Sequence, residues 1–433
     1  MKLALLGGGG FRVPLVFGAL LDDPSRLITE LSLYDTSAAR LSVITTVLSQ
    51  LDPEGAGPVI HATTDLAEAV SGADFVFSAV RVGGLSGRVT DERAALSLGV
   101  LGQETTGPGG IAYALRTAPV ALEIARTVKE HAPNAFVINF TNPAGIITEL
   151  MQSVLGSRMI GICDTPSGLG KRLGALYGAD ETQLSLDYVG LNHLGWLRHA
   201  WYQGLDLVSE ILADDDALAR LEEGKVFGAD WLRAIRMLPN EYLYYYYFNR
   251  EAVRSITSGD ATRGEFLLAQ QARFYRDAEQ NPDAALALWQ QTRDQREASY
   301  MAESREKDEE RPDVAGGGYE RVALSLMSAI VGGGHRPMIL NVRNGSTLPS
   351  LPADAVVEVP CLVDTAGAHP LATAEPPAAE LSLMIRMKEI ERLTIRSVLE
   401  QDPELAYRAI ALHPLVDSVA VARELFESYR ANA

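Results

Sequence analysis

The sequence predicts an α/β fold: a doubly wound, Rossmann-like parallel sheet domain followed by a mainly helical domain with a small antiparallel sheet. In the first half, short apolar runs alternate with helical patterns, as in parallel sheets joined by crossover helices. In the second half, long helical segments dominate, and residues 337–363 alternate as antiparallel strands do. We therefore expect an NAD-binding domain over residues 1–195 and a helical substrate-binding and oligomerisation domain over residues 196–433.

The expected elements follow from the period of the apolar residues. The strands of the first half are expected at residues 2–6, 31–34, 74–80, 135–140 and 159–162, with helices between them at 13–21, 38–51 and 118–131. The second half is expected to hold helices at 207–222, 264–276, 283–305, 319–330 and from 378 onward, strands at 338–344 and 355–362, and a mobile surface loop at 305–313.

Composition excludes several classes of protein. The net charge of -18 over 433 residues disfavours nucleic-acid binding, which requires a concentrated basic surface. No run is apolar enough to span a membrane and no signal peptide is recognisable, while two cysteines are too few for a disulfide framework. These features predict a cytoplasmic protein without a nucleic-acid or membrane partner. An anionic small substrate would need a local cluster of arginines to counter the overall charge.

A glycine-rich turn follows the first strand. Gly7, Gly8 and Gly9 come directly after residues 2–6, and a helix begins near Val13. Glycines here let the backbone approach a pyrophosphate, and the helix N-terminus offers free N–H groups to the anion. The pattern is imperfect, because Arg12 stands where a third glycine is usual. Taken alone, the turn is as compatible with an ordinary strand-to-helix connection as with a dinucleotide-binding loop.

An acidic residue at the end of the second strand strengthens the dinucleotide interpretation. Asp35 follows residues 31–34, where NAD enzymes bind the adenosine ribose and repel the 2′-phosphate of NADP. The sequence therefore favours NAD over NADP as the cofactor.

One cysteine and one histidine are candidates for a metal site. Cys163 follows the expected strand at 159–162, and His193 lies 30 residues further on. Two protein ligands are too few for structural zinc but suit an open site that shares its metal with substrate oxygens, holding Mn²⁺, Fe²⁺ or Co²⁺. Taken alone, a cysteine or histidine in such a position is more often a buried core residue than a metal ligand.

Taken together, the motifs resemble glycoside hydrolase family 4. The motifs that carry the resemblance span the chain in a compatible order, and they are GGG at 7–9, VRVG at 80–83 with Arg88, GQETTGPGG at 102–110, TNPA at 141–144, CDTP at 163–166 and Asn192-His193. Their common order and spacing are far more specific than any one of them. This family is known as an NAD-dependent exception among glycosidases.

The resemblance implies hydrolysis of a phosphorylated glucoside or disaccharide with NAD and a divalent metal, expected to be Mn²⁺. The sugar would be oxidised at C3 by NAD⁺ and deprotonated at C2, and the group at C1 would leave by elimination. Water would then add to C1 and hydride would return to C3. The residues that match the family's metal ligands are Cys163 and His193.

The resemblance also implies roles for further side chains. Tyr242, in the tyrosine-rich segment 240–247, matches the base, with Tyr244 as the first alternative. Asp164 would protonate the departing oxygen. The residues expected to bind the phosphate and hydroxyls of the substrate are Arg88, Asn142 and Arg263. Asp164 resembles the 6-phospho-α-glucosidases, whereas the rest of the chain inclines to the 6-phospho-β-glucosidases, which we take as the prediction.

Two other classes share part of this pattern. An NAD-dependent 2-hydroxyacid dehydrogenase would keep the first domain but would not need Cys163 and His193. A redox-sensing NAD-binding protein without catalysis would also keep the glycine loop but would not need the tyrosine-rich segment or arginines that face the nicotinamide. The apolar second half and the family resemblance predict a homodimer or homotetramer.

Overall fold

The computed structural model describes residues 1–298 and 318–431, so the predicted loop at 305–313 and the end of the predicted helix at 283–305 lie outside the described residues. The first half alternates strands and helices. In chain order they are β1 (Lys2–Leu6), α1 (Val13–Leu21), β2 (Glu30–Tyr34), α2 (Ala38–Leu51), β3 (Val59–Thr63), α3 (Leu66–Val70), β4 (Phe75–Ser78), α4 (Gly84–Ser97), α5 (Pro108–His131), β5 (Phe136–Asn139), α6 (Ala144–Leu155), β6 (Met159–Gly161) and α7 (Thr165–Leu176).

Six of these strands form the predicted parallel sheet, in the order β3-β2-β1-β4-β5-β6. The chain reverses direction across the sheet between β1 and β4, and in open α/β sheets the ligand crevice lies beyond the carboxyl ends of the strands at such a point. The predicted Rossmann-like fold is confirmed.

The second half contributes strands and most of the helices. In chain order they are β7 (Ser185–Leu191), β8 (Leu194–Tyr202), β9 (Leu205–Asp206), α8 (Leu207–Ala213), α9 (Asp215–Arg220), α10 (Glu222–Phe227), α11 (Ala229–Ile235), β10 (Leu238–Pro239), α12 (Tyr244–Tyr247), α13 (Asn249–Ser258), α14 (Arg263–Gln280), α15 (Ala285–Ala298), α16 (Tyr319–Gly332), β11 (Arg336–Arg343), β12 (Val356–Asp364), β13 (Gly367–Pro370), α17 (Ala378–Leu399), α18 (Pro403–Leu412) and α19 (Val419–Ala431).

The antiparallel strands extend the parallel sheet. β11 pairs antiparallel with β6, and the sheet continues through β12, β7, β8 and β10. The predicted strands at 338–344 and 355–362 correspond to β11 and β12, which pair in full antiparallel register. One sheet therefore runs through both halves of the chain. It brings residues of both halves to the side where the parallel strands have their carboxyl ends.

Side chains of the parallel strands alternate between two buried layers, because successive residues of a strand point to opposite faces. Leu3 and Leu5 of β1 pack in one layer with α1, α2 and helices of the second half, whereas Ala4 and Leu6 pack in the other with α5 and α6. A third layer joins α17, α18 and α19 to α4 and α5. Helices thus cover both faces of the sheet, which explains its continuously apolar strands.

Two differences from the predicted helices have a local cause. The single helix expected at 207–222 is divided into α8 and α9, because Asp214 is extended and its side chain caps the second helix by accepting from the N–H of Ala217. α5 begins at Pro108, ten residues before the expected start, because its glycine-rich first turn gave no apolar periodicity. In the described part of the chain, no helix has both the length and the apolarity needed to cross a membrane.

Candidate active site

A cavity of about 1630 Å³ lies at the carboxyl ends of the parallel strands and is lined by residues from both halves of the chain. Gly7, Asp35, Asn142 and Cys163 reach it because each follows the end of a parallel strand. Most of the other predicted site residues also line it, namely Arg88, Asp164, His193, Tyr242 and Arg263. Gly8 and Gly9 lie in the same loop but are not on the cavity wall.

The glycine loop is confined by its own backbone. Gly7 has φ +89°, in the left-handed region that favours glycine, and a Cβ there would lie 2.7 Å from the carbonyl oxygen of Ala79. A Cβ on Gly8 would lie 2.7 Å from the Cβ of Leu33 and 2.9 Å from its Cα. The sequence needs glycine here because the loop packs directly on neighbouring strands.

Asp35 ties this loop to the end of β2. Its two carboxylate oxygens accept hydrogen bonds from the backbone N–H groups of Gly9 and Ser37, each at 3.0 Å. Each oxygen can accept a second bond, so the carboxylate can still take ribose hydroxyl groups. The geometry suits the role predicted for Asp35.

Three aromatic side chains from the second half hold the glycine loop from the other side. The hydroxyl of Tyr275 donates to the carbonyl of Gly9 (2.7 Å), and the indole N–H of Trp289 donates to that of Phe11 (2.8 Å). The hydroxyl of Tyr319 donates to the carbonyl of Arg12 (3.1 Å). We call Tyr275, Trp289 and Tyr319 the aromatic clamp. Through it, α14, α15 and α16 fix the loop that precedes α1.

Cys163 is buried, with 4% of its surface exposed, in the loop between β6 and α7. Burial, together with the carboxylates of Glu358 and Asp164, raises the pKa of its thiol well above the usual range. The thiol is therefore protonated at neutral pH, and a divalent cation would have to displace this proton to bind the sulfur.

His193 lies in the turn between β7 and β8, with φ +62°. Burial lowers the pKa of its imidazole to about 4, against the opposing effect of Glu104. Its ring stacks on that of Tyr242, with ring centroids 3.7 Å apart and planes at 9°, and its Nδ1 lies 3.1 Å from the hydroxyl of Thr105. The ring is thus neutral and held on two sides.

Tyr242 lies in a short 3₁₀ turn, Glu241–Leu243, capped by Asn240, whose side-chain oxygen accepts from the N–H of Tyr242 (3.0 Å). Of the tyrosines at 242–247, Tyr242 and Tyr245 line the cavity, whereas Tyr244 does not. The first alternative base is therefore Tyr245 by position, and not Tyr244 as the sequence suggested.

Two more predicted site residues are Asp164, which is next to Cys163, and Asn142, which lies in the loop after β5. Asp164 precedes α7, and its carboxylate accepts from the N–H of Gly318 (3.3 Å), the first described residue after the gap. Asn142 lines the cavity, and its peptide bond to Pro143 is cis. Both residues line the same cavity as Cys163 and His193.

The cavity wall is basic although the chain is acidic. Among the described residues that line it, ten are arginine or lysine and six are aspartate or glutamate. Burial and repulsion from Arg12 and Arg263 lower the pKa of Arg296 well below its usual range. A basic wall of this kind suits an anionic ligand, as the sequence required of any anionic substrate.

Arg88 is engaged by acidic residues. Its Nε donates to Glu92 (2.6 Å), and its Nη1 lies 2.8 Å from Glu104. Burial alone would raise the pKa of Glu104, but Arg81 and Arg88 outweigh it and bring the pKa to about 2. A guanidinium has five N–H groups, so Arg88 can still donate to a ligand. Its predicted contact with substrate stays a prediction.

A buried carboxylate stands behind the metal-ligand candidates. Glu358 of β12 is fully buried and accepts from the side chains of Asn341 (2.8 Å), Tyr188 (3.1 Å) and Asn192 (3.2 Å). Burial raises its pKa to about 7. This network joins β7, β11 and β12 next to the turn that carries His193.

The residues fit both expected groups. The glycine loop, the start of α1 and Asp35 form the arrangement that binds a dinucleotide. Cys163 and His193 line one cavity and supply a sulfur and a nitrogen donor. Among the described residues, no group of three or more histidine, cysteine, aspartate or glutamate side chains could hold a metal. Two protein donors leave further coordination positions for ligand oxygens, as expected for an open site.

Family models match most of the chain. The model described as family 4 glycosyl hydrolase matches residues 2–178, and that of the family 4 glycosyl hydrolase C-terminal domain matches residues 188–416. The chain belongs to glycosyl hydrolase family 4. The predicted membership is confirmed, and it excludes the dehydrogenase and redox-sensor alternatives.

Several relatives of this family 4 enzyme are named as glucosidases of phosphorylated sugars. The 6-phospho-beta-glucosidase of Escherichia coli K12 is 30% identical over 98% of this chain and 94% of its own. The Thermotoga maritima 6-phospho-beta-glucosidase solved with manganese, NAD⁺ and glucose-6-phosphate has a TM-score of 0.84 at 27% identity, covering 100% of this chain and 98% of its own. A 6-phospho-alpha-glucosidase from gut microorganisms, solved with NAD and Mn²⁺, has a TM-score of 0.81 at 25% identity, covering 99% and 97%.

Several residues of this family 4 enzyme's cavity had no predicted role. Gln103, Glu104 and Thr105 belong to the glycine-rich motif at 102–110, which contributed to the resemblance but received no function. No local sequence pattern indicated a role for Arg296, because it lies in a helix of mixed polar sequence. Position in the fold, and not sequence pattern, brings it beside Arg12.

Proposed function

We propose that this family 4 enzyme hydrolyses 6-phosphoglucosides, with β-linked substrates as the principal class, using NAD and Mn²⁺. The main support for a phosphorylated substrate is that this acidic protein has a cavity with a basic wall, where Arg12 and Arg263 repel Arg296. The cavity volume of about 1630 Å³ exceeds the roughly 300–1,000 Å³ typical of a single small-ligand pocket, so a dinucleotide and a sugar phosphate can occupy it together.

The cavity wall carries two groups of residues with different chemistry. Gly7 and Asp35 line one part and suit the pyrophosphate and ribose of NAD. Arg263 begins α14, and its Nη2 donates to the carbonyl of Arg296 (3.0 Å), which holds the guanidinium in the basic cluster. We assign the 6-phosphate to this cluster because planar guanidinium groups pair well with phosphate oxygens.

When bound, NAD⁺ accepts hydride from C3 of the sugar and the metal withdraws charge from the C2 and C3 oxygens. Cys163 and His193 would hold the metal, and the phenolic oxygen of Tyr242 would remove the proton from C2. This role is supported by the ring of Tyr242, which stacks on His193 and lines the same cavity. Asp164, adjacent to Cys163, would protonate the departing glycosidic oxygen.

The α-linked substrates are a second candidate. Asp164 matches the acid of 6-phospho-α-glucosidases in the resemblance, and relatives of both anomeric classes cover nearly the whole chain. Position 164 therefore favours α-linked substrates, whereas the overall similarity favours β-linked ones.

A hydrolysis panel tests the proposal. Purified enzyme is given α- and β-linked p-nitrophenyl glucosides, each with and without a 6-phosphate, in the presence of NAD⁺ and Mn²⁺. We expect turnover of the 6-phosphorylated β-glucoside and none of its unphosphorylated counterpart, with loss of activity after chelation. Preferential turnover of unphosphorylated glucosides would contradict the proposal, and preference for the α-linked phosphate would select the second candidate.

Arg263→Gln tests the phosphate assignment. Loss of a charge-assisted hydrogen bond of about 1.5–3 kcal/mol should raise KM for the phosphorylated substrate about 10- to 100-fold. Arg273→Gln is the matched control, because Arg273 is exposed on the same helix and does not line the cavity. An equal KM for the two variants would remove Arg263 from the phosphate site.

Three predictions complete the proposal. We propose that the boundary between the domains lies near residue 195, that the enzyme forms a homodimer or homotetramer, and that it is cytoplasmic. Size-exclusion chromatography with light scattering tests the oligomeric state directly.

A further inference from the structure

The motif at 102–110 places a short chain of hydrogen bonds against His193. The side-chain oxygen of Gln103 accepts from the backbone N–H groups of Thr105 (2.7 Å) and Thr106 (2.5 Å). If the carboxamide were turned over, its NH₂ group would face two donors. The Gln103 atom at this point is therefore the oxygen, which can only accept.

The hydroxyl of Thr105 lies between two possible acceptors. Its oxygen is 3.2 Å from the side-chain oxygen of Gln103 and 3.1 Å from Nδ1 of His193. The Gln103 oxygen cannot donate, so a bond between it and Thr105 requires the hydroxyl proton. The Thr105 oxygen then presents a lone pair to His193, and Nδ1 must carry the hydrogen.

From this geometry we propose that Thr105, held by Gln103, is a positioning residue that fixes the hydrogen of His193 on Nδ1 and leaves Nε2 to bind the divalent metal. The inference rests on the proposed role of Cys163 and His193 as metal ligands. Which ring nitrogen binds a metal is set by the hydrogen bond of the other nitrogen. Thr105 acts through His193 and needs no contact with the substrate.

Thr105 also selects one of two ring orientations. Stacking on Tyr242 fixes the plane of the imidazole, but it does not distinguish the two orientations related by a half-turn about the Cβ–Cγ bond. In the other orientation a ring C–H would face Thr105, and the hydrogen bond would be lost. Stacking and the hydrogen bond together therefore define where Nε2 points.

Manganese affinity tests this role without a measurement of turnover. Mn²⁺ is titrated into metal-free enzyme, and the free ion is followed by electron paramagnetic resonance. Thr105→Val should weaken Mn²⁺ binding about 10- to 100-fold, the range typical of residues that orient a metal ligand. Thr105→Ser retains the hydroxyl and should stay within about threefold of the wild type, since the hydrogen bond is preserved.

Thr106→Val is the matched control. The hydroxyl oxygen of Thr106 is buried and has no hydrogen-bond partner within the described residues, and the residue does not line the cavity. This variant makes the same chemical change one position away. We expect its Mn²⁺ affinity to equal that of the wild type.

The tautomer itself is measured on wild-type enzyme, so the test does not depend on the folding of a variant. In ¹⁵N-labelled, metal-free protein, His193, identified by its loss in His193→Ala, should show a protonated Nδ1 and an unprotonated Nε2. Hydrogen on Nε2 would overturn the inference, as would wild-type Mn²⁺ affinity in Thr105→Val.

The same titration separates this inference from the function on which it rests. If His193→Ala binds Mn²⁺ as tightly as the wild type, the proposed metal ligand is wrong and the inference falls with it. If His193→Ala loses binding while Thr105→Val keeps it, only the positioning role is wrong.

Discussion

The two sides of the cavity are built in different ways. The cofactor side, Gly7–Arg12 with Asp35, is nearly continuous in sequence and is shaped by backbone packing against β2 and β4. The metal side, Cys163, His193 and Tyr242 with Thr105, combines side chains from four separate segments. On the cofactor side the constraint is steric, whereas on the metal side it is chemical.

This difference predicts how each side responds to substitution. A side chain added on the cofactor side must displace backbone, so it should reduce the stability of the fold. An atom removed on the metal side leaves the packing in place, so it should alter turnover or ionisation with little change in the fold.

Tyr242→Phe removes one oxygen and keeps the ring that stacks on His193. Turnover should fall by about 10²- to 10⁴-fold, the typical contribution of a general base, while the unfolding free energy changes little. Steady-state kinetics and urea unfolding measure the two effects. In D₂O, wild-type enzyme should introduce deuterium at C2 of the product.

Tyr244→Phe is the control for this prediction, since Tyr244 is buried and does not line the cavity. Its turnover should match that of the wild type. Near-normal turnover by Tyr242→Phe, with exchange at C2 intact, would move the base to Tyr245. A large decrease in the free energy of unfolding of Tyr242→Phe would contradict the predicted difference between the two sides.

Glu358→Gln tests the ionisation of the buried carboxylate that lies behind the metal side. The pKa of Glu358 is raised from 4.5 to about 7, so between these values the folded enzyme holds a proton that the unfolded chain releases. Protonated Glu358 therefore contributes to the free energy of unfolding in full below pH 4.5, and this contribution is lost as the pH rises through 7. At about 1.36 kcal/mol per pKa unit, the free energy of unfolding falls by about 3 kcal/mol.

The measurement compares urea unfolding of wild type and Glu358→Gln between pH 5 and pH 8, in chelator. Stability of the wild type should decline more steeply with pH than that of the variant, because the amide does not ionise. Parallel curves would show that Glu358 does not carry this pH dependence.

Gly8→Ala should give the smallest of these effects, and it acts on the cofactor side. The added Cβ would meet Leu33 at 2.7 Å, so the loop must move from β2 at a cost of about 1–3 kcal/mol. Gly18→Ala is the control, because α1 has open space at Gly18 and alanine favours a helix by up to about 1 kcal/mol. Equal stability of the two variants would show that the loop is less confined than its packing indicates.

The cofactor side could be predicted from the sequence because its signals are local. Glycines after β1 and an aspartate after β2 mark the end of each strand, and the apolar strands themselves were recognised to within a few residues. β3 was not predicted, because it is an edge strand with mostly exposed residues and no continuous apolar run.

The metal side could be predicted in part, and only through the family resemblance. Cys163 and His193 carry no local pattern of their own, and each resembles an ordinary buried residue. The hydrogen bonds of Thr105 and the position of Arg296 depend on how α4, α5 and α15 pack around the cavity. No periodicity in the sequence encodes these long-range contacts.

The aromatic clamp bears on how the two halves of this enzyme could be separated. Without Tyr275, Trp289 and Tyr319, three loop carbonyl groups would lose their donors, and the ring of Phe11, which packs against Phe274 and Trp289, would be exposed to water. A nucleotide-binding half cut from this chain would therefore carry an unsupported loop. The first half is not a transferable module, and grafting it onto another protein would require the three helices that bear the clamp.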